Sequence, residues 1–292
     1  MNVILQQLVN GITVGAVYAL VALGYSLVYG VLRVVNFAHG GVYTMGAFFG
    51  FTAGKYLGVN IFVSMLFAMA GAGIVGIIVE RVAIAPLRQA DPYSALLSSL
   101  GLGSIMPIIC LKIWGASTQP YPAHFEFKTY FIGGIAINTM QIVIVGAAVF
   151  LVFALYVFVH KTPMGMAMRA CSFSVPLSKL MGINDNTVIR LTFAISSALA
   201  GAAAVLVAAY YDAIFPTMGL VVSLKAFTAA VVGGIGSIPG SILGGLLIGL
   251  LENIASGYIS SRYQDAIAFV ILVLMLLFRP TGFLGRDVVQ KM

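Results

Sequence analysis

The sequence predicts an all-α membrane protein, a polytopic bundle of eight or nine spanning helices with one cytoplasmic segment between two of the spans. Of its 292 residues, 61% are apolar (AVILMFWYC) and only 8% are charged. Soluble globular proteins have about 45–50% apolar and about 25% charged residues, so this chain has too little polar material to cover a surface facing water. Apolar runs of about 20 residues, the length that a spanning helix needs, recur along the chain.

The apolar runs give eight clear candidates for spanning helices, of which the last three are short or rich in glycine. They cover residues 8–32, 60–79, 94–114, 140–160, 191–211, 221–235, 238–254 and 265–278. A ninth candidate, residues 34–54, is interrupted by Asn36, His39 and the pair Gly40 and Gly41. This segment either crosses the membrane or dips into it and returns, because such a break leaves both paths open.

The basic residues orient the bundle, since cytoplasmic connections carry an excess of Lys and Arg. Three segments that the span count places on one side hold Arg81, Arg88, Lys161, Arg169, Lys179, Arg190, Arg279, Arg286 and Lys291. The opposite side holds Lys112, Lys128 and Arg262. The first side is therefore predicted to be cytoplasmic. The N-terminus lies outside if residues 34–54 cross, and inside if they are re-entrant.

Several classes of protein are disfavoured by what the sequence lacks. Two isolated cysteines, Cys110 and Cys171, make neither a disulfide framework nor a metal site. No G-x-x-x-x-G-K-[ST] phosphate loop occurs, so ATP binding of that kind must reside elsewhere. The basic surplus suits membrane orientation and not nucleic acid, and residues 1–10 lack the basic start of a cleavable signal peptide. No metal or other cofactor is predicted.

Two rival functions need groups that this chain hardly offers. An ion-coupled secondary transporter uses carboxylates inside the membrane, and only Glu252 sits clearly within a predicted span. We expect Glu252 to pair with a basic neighbour, and Lys225 to extend to the outer interface. A membrane enzyme needs a nucleophile with its base, or metal ligands, yet the histidines lie in three separate segments: His39, His124 and His160.

Residues 161–190 form an unusually long cytoplasmic connection with a periodic pattern of its own. Pro163 opens one short helix, and Ser174 and Pro176 open a second, which Gly182 ends. Apolar residues recur at helical spacing, as Met164, Met168 and Cys171 and then as Leu177, Leu180 and Met181. Such a segment either lies on the lipid surface or docks into a groove of a soluble partner.

The interrupted segment 34–54 holds the candidate groups for a polar path through the bundle. These are Asn36, His39, Gly40 and Gly41. Their side chains and freed backbone groups either cap the helix break or shape and gate a translocation path.

Five stretches resemble the branched-chain amino acid permease family of ABC transporters, in particular its high-affinity H-type subunit, almost end to end. They are residues 10–20, 35–40, 162–170 with 180–184, 233–245 and 279–286. The resemblance implies one permease domain over residues 1–292, with residues 161–190 as its coupling segment. It assigns coupling to the ATPase to Met168, Arg169, Leu180, Met181, Gly182, Ile183 and Asn184. Phe173-Ser174 departs from the family, which often has acidic residues at that turn.

The resemblance implies a permease that hydrolyses no ATP itself and sits in the bacterial inner membrane. Its expected partners are a homologous second permease, two cytoplasmic ATP-binding subunits and a periplasmic substrate-binding protein, besides membrane lipid. The expected substrates are branched-chain or related hydrophobic amino acids. Urea and a broader set of amino acids stay open, because close relatives share these motifs.

Overall fold

The computed structural model describes residues 3–88, 90–122, 128–258 and 260–285. The α-helices in these residues are α1 Val3–Leu32, α2 His39–Leu57, α3 Ile61–Val79, α4 Pro92–Trp114, α5 Thr139–Lys161, α6 Pro163–Phe173, α7 Val175–Leu180, α8 Asp185–Tyr211, α9 Met218–Gly233, α10 Ile238–Tyr258 and α11 Gln264–Phe278. A π-helix, Glu80–Ile84, continues α3, and short 3-10 turns cover Ala85–Leu87 and Ser261–Tyr263. The sheet content is one antiparallel hairpin of β1 Thr129–Ile132 and β2 Ile135–Asn138.

Seven of these helices are long and apolar enough to cross a membrane, which confirms the predicted helical bundle. Each spanning helix has a most apolar window of 18 residues. In that window, 89% of α1 and 72% of α8 are buried, but only 6% of the last span, Ser261–Phe278. The centre of the bundle is therefore α1 and α8, and α11 lies at its rim. Glycine lets the central helices approach closely: a Cβ added at Gly11 or Gly15 of α1 would lie 2.9 Å from a Cα of α10.

The interrupted segment crosses the bundle. The Trp114 indole N–H donates to the Thr52 hydroxyl at 3.0 Å, and Gly103 lies against Ala38, so α2 runs in the same direction as α4. Because α4 leads away from the connection that holds Arg88, α2 also ends on the opposite side. The re-entrant alternative is thus wrong. If the side that holds Arg88 is cytoplasmic, as the basic residues predict, the start of α1 lies on the outer side.

α2 does not begin at the cytoplasmic edge. Its neighbour Gly103 is about 16 Å along α4 from the first residue of that helix, at 1.5 Å per residue. The chain therefore rises from Leu32 through residues 33–38 without helix before α2 starts. The chain turns back after α1 at Arg33, whose φ of +58° lies in the left-handed region.

The outer end of the bundle holds the β1–β2 hairpin, which the all-helical prediction did not include. The Gln6 side chain exchanges two hydrogen bonds of 2.9 Å with the backbone of Ala136 on β2. Gly133 and Gly134 make the turn with positive φ values. Tail residues Arg286 and Lys291, and His124, lie outside the described residues.

Candidate functional site

The coupling segment folds as its capping residues predict. The Thr162 hydroxyl accepts from the Gly165 N–H at 3.0 Å at the start of α6, and the Ser174 hydroxyl accepts from the Leu177 N–H at 3.4 Å at the start of α7. Gly182 follows α7 with φ +81°, a conformation that only glycine adopts without cost. Both short helices are therefore present, with the ends that the sequence indicates.

One face of α6 is fixed against the bundle. Gly165 lies against the Phe158 and Val159 carbonyls of α5, with no room for a side chain. Met168 and Cys171 are only 3% and 1% exposed. Burial raises the pKa of the Cys171 thiol above its ordinary value, so this thiol is protonated at neutral pH. The segment is a rigid continuation of the spans.

The opposite side of the segment presents apolar side chains on the surface of the protein. Phe173 is 87% exposed, Leu180 and Met181 are each 83% exposed, and Leu177 is 55% exposed. We call these four residues the docking surface. A cluster of exposed apolar side chains on a rigid element is typical of a protein–protein contact, whereas a single exposed apolar residue is ordinary.

The predicted coupling residues differ in their exposure. Arg169, Leu180, Met181, Gly182 and Asn184 are exposed, and Ile183 is partly buried. Met168 is 3% exposed and packs inside the bundle, so its assignment to coupling stays a prediction that involves no exposed surface of this side chain. The sequence prediction missed Phe173 and Leu177, although Leu177 precedes Leu180 by one helical turn on α7.

The candidate path residues lie where α2 begins. The Asn36 amide oxygen accepts from the Ala38 N–H at 3.1 Å, which closes a turn immediately before α2. His39 is 1% exposed, and its ring meets the Tyr25 ring edge-on at 4.6 Å. The same ring lies against Gly24, where an added Cβ would come within 2.6 Å of it. Both side chains are packed inside the bundle.

The two glycines of this group bring three helices together. A Cβ added at Gly40 would lie 2.7 Å from the Ser223 hydroxyl of α9, and one added at Gly41 would lie 2.7 Å from the Met106 sulfur of α4. The Gly219 N–H, in the first turn of α9, donates to the Thr44 hydroxyl of α2 at 3.1 Å. The first turns of the two short helices α2 and α9 therefore meet inside the bundle.

An open groove on the side of the bundle lies between α1, α5 and α10. Its volume is about 660 Å³, and its lining is almost wholly apolar. Its lining includes Ile12 of α1, Val145 and His160 of α5, and Ile238 of α10. From Val145 to His160 the groove follows α5 for about 22 Å, at 1.5 Å per residue. It therefore runs through most of an apolar layer about 30 Å thick. The lining does not include Asn36 or His39.

Charged side chains inside the bundle are paired. Lys225 is 5% exposed; its ammonium contacts the Glu252 carboxylate and lies 2.6 Å from a carboxylate oxygen of Asp265. The predicted extension of Lys225 to the outer interface is therefore wrong, because α10 and α11 bring two carboxylates to it. The predicted pairing of Glu252 with a basic residue is confirmed. A second buried carboxylate, Glu80, was not predicted at all.

The amino-acid sequence is similar to a known family of membrane permeases. Residues 7–276 match the family model for the permease component of branched-chain amino acid transport systems. The chain is 42% identical to the high-affinity branched-chain amino acid transport system permease protein BraD of Pseudomonas aeruginosa, over 98% of this chain and 97% of that protein. It is 39% identical to the permease protein LivH of Escherichia coli K12, over the same shares of both chains.

A solved structure shares the fold. PsaBC from Streptococcus pneumoniae, in complex with Fab, superposes with a TM-score of 0.51 over 96% of this chain and 93% of that chain. The sequence identity is 14%, so this similarity concerns the fold alone.

Proposed function

Because the chain belongs to the family of branched-chain amino acid transport permeases, we propose that it forms one half of the path of an ATP-driven importer for these amino acids. The chain is a multi-pass protein of the inner membrane and a permease subunit. In this proposal, ATP is hydrolysed on two cytoplasmic subunits, and a periplasmic binding protein delivers the substrate at the outer end.

The docking surface is the observation that carries the ATP-driven part of the proposal. Leu180 and Met181 are the most exposed apolar side chains on α7 and the turn that follows it. The segment that carries them is held by two helices, α5 and α8, that run through the bundle. A soluble subunit that binds there can displace these helices, whereas a flexible tether would absorb the displacement. Exposed Arg169 and Asn184 supply polar contacts at the rim.

The open groove supports a path shared between two permeases. A groove of about 660 Å³ exceeds what one leucine-like molecule fills, and its open side needs a second wall. A homologous second permease facing the same groove supplies that wall. The apolar lining accepts an aliphatic side chain, which urea lacks. The charged ammonium and carboxylate of the amino acid are costly in such a lining and require water or polar groups beyond it.

Asn36, His39, Gly40 and Gly41 act on this path indirectly in the proposal. They hold the start of α2 against α1, α4 and α9 through the contacts described above. Since α1 also lines the groove, their packing fixes the position of one wall. Contact with the substrate is left to the groove-lining residues.

The test is import into proteoliposomes that contain the whole transporter: this chain with its second permease, ATP-binding subunits and binding protein. We expect radiolabelled leucine to enter only when ATP is present on the side of the membrane that carries the ATP-binding subunits. Import should continue when the proton gradient is dissipated. Collapse of import on dissipation, with ATP maintained, would contradict the proposal and favour an ion-coupled transporter.

The docking surface is tested in the same preparation. Leu180→Asp together with Met181→Asp should abolish co-purification of the ATP-binding subunit while the permease still reaches the membrane. Leu57→Asp makes a matched control, because Leu57 is 61% exposed at the outer end of α2. Full co-purification with the double variant would show that docking occurs elsewhere.

A further inference from the structure

Glu80 is a fully buried carboxylate at the cytoplasmic end of the bundle. It is 0% exposed, and it is the first residue of the π-helix that continues α3. Short π-helical turns inside longer helices are often found at functional sites. A carboxylate without water requires cationic partners, since an isolated buried charge is very costly. The partners of Glu80 therefore show what this charge connects.

Two arginines from different segments meet at Glu80. The Arg88 guanidinium, after the π-helix, pairs with one carboxylate oxygen. The Arg190 Nε, on α8, lies 3.5 Å from the other. Arg88 also donates to the Asn186 side-chain oxygen at 2.7 Å. Glu80 thus joins α3 to the first two turns of α8 on both sides of its carboxylate.

The first turns of α8 are the end of the coupling segment. Asn184 caps α8 by accepting from the Thr187 N–H at 3.2 Å, and the Ile183 N–H donates back to the Ser178 carbonyl at 3.1 Å. The docking surface is therefore connected to Asn186 and Arg190 by short, hydrogen-bonded backbone. A displacement of the docking surface therefore passes to the two α8 residues that contact the Glu80 network.

α3 follows such a displacement because glycines and other small residues let it pack closely on α8. A Cβ added at Gly201 of α8 would lie 2.6 Å from the Ala68 carbonyl of α3. A Cβ added at Gly76 of α3 would clash with the Ser197 side chain of α8 and would lie 2.7 Å from the Phe193 carbonyl. The two helices are antiparallel, and the Glu80–Arg190 pair closes their interface at the cytoplasmic end.

We propose that Glu80 is a positioning residue that makes α3 follow α8 when the coupling segment moves, so that ATP hydrolysis is converted into transport. This inference rests on the proposed ATP-driven function. Charged networks with discrete arrangements can carry such coupling between distant sites. Without the Glu80 charge, α8 is free to move while α3 stays behind, and ATP is hydrolysed without import.

The experiment compares Glu80→Gln with wild type in the proteoliposomes described above. Glutamine keeps the shape of the side chain and removes the charge. Three quantities are measured: ATP-binding subunit bound per permease, ATP hydrolysed, and leucine imported per ATP. We expect unchanged binding, continued hydrolysis and about tenfold less leucine per ATP, within the range found for residues of coupling networks.

Two further variants separate coupling from folding. Asn186→Ala changes an exposed side chain and removes only its bond with Arg88, and we expect it to lower leucine per ATP by about threefold. Arg81→Gln removes an exposed charge beside Glu80 and should leave the ratio unchanged. If Glu80→Gln does not assemble, the result with Asn186→Ala decides.

The outcomes distinguish this inference from the proposed function. A wild-type ratio of leucine to ATP in both Glu80→Gln and Asn186→Ala would overturn the role of Glu80, while wild-type import driven by ATP would still support the importer. No ATP-driven import by the wild-type transporter would instead overturn the proposed function. Equal losses in Glu80→Gln and Arg81→Gln would also overturn the inference, because a general charge effect would then explain them.

Discussion

Replacement of Lys225 by methionine should strongly destabilise the bundle. Lys225 contacts Glu252, whose side chain is 0% exposed. Lys225→Met keeps most of the side-chain volume and leaves this carboxylate without a cation. Removal of one partner from a buried ion pair costs about 3–5 kcal/mol. A loss of 3 kcal/mol corresponds to about a 150-fold change in the unfolding equilibrium constant.

The double variant provides the decisive comparison. Lys225→Met with Glu252→Leu removes both charges, and apolar replacement of a buried pair is commonly neutral or stabilising. We therefore expect the double variant to unfold within about 1 kcal/mol of wild type. Asp265→Asn is the control, because this carboxylate is 59% exposed, so water solvates it without Lys225, and its replacement should cost less than the roughly 3–5 kcal/mol of a fully buried pair.

The assay is unfolding by SDS titration in mixed micelles. The sequence has one tryptophan, Trp114, which packs on Phe48 with a centroid distance of 4.9 Å, so its fluorescence reports the loss of tertiary structure. The reasoning is refuted if Lys225→Met is as stable as wild type. It is also refuted if the double variant is as unstable as the single one.

Three other perturbations test separate parts of the structure. At pH 7, Cys171 should react with a maleimide many times more slowly than the cysteine in Phe173→Cys, because Cys171 is 1% exposed and burial raises its pKa, which lowers the reactive thiolate fraction. Peptide mass spectrometry gives both rates, and equal rates would contradict the burial. Gly249→Leu should cost about 1–3 kcal/mol by overpacking α1 against α10, whereas Gly101→Leu, where an added Cβ meets nothing within 4 Å, should be close to neutral in the same titration. His39→Ala should lower the amount of assembled transporter and leave import per assembled complex within about twofold, because truncating a buried side chain leaves a cavity and removes no groove-lining group; a selective loss of import would assign His39 to the path itself.

The cytoplasmic segment shows how much local sequence can determine. Thr162, Ser174 and Gly182 set the ends of its two helices through contacts within three or four residues. A pattern of that range is readable from the sequence, since capping depends on neighbours along the chain. The direction in which each face points is not local. Met168 and Leu180 are both apolar, yet one is buried against the bundle and the other is exposed.

The break before α2 is also predicted in part by the local sequence and decided in part by contacts between helices. Asn36 and the glycines after it reveal from sequence alone that the helix is interrupted. Whether the segment crosses depends on its alignment with α4, which is more than 50 residues away in the chain. The alignment follows from close contacts at Gly41 and Gly103, and such contacts between helices are invisible in a hydropathy pattern.

The sequence by itself determined that this is a helical membrane protein with a structured segment between two spans, because composition, span length and capping are all properties of short stretches. Only the tertiary structure decided which charges meet. Glu80 pairs with Arg190, and Lys225 pairs with Glu252 and Asp265, across separations of 110, 27 and 40 residues along the chain. A buried charge must find a partner somewhere, but the packing of the helices selects that partner, and one sequence does not encode this choice in any local pattern.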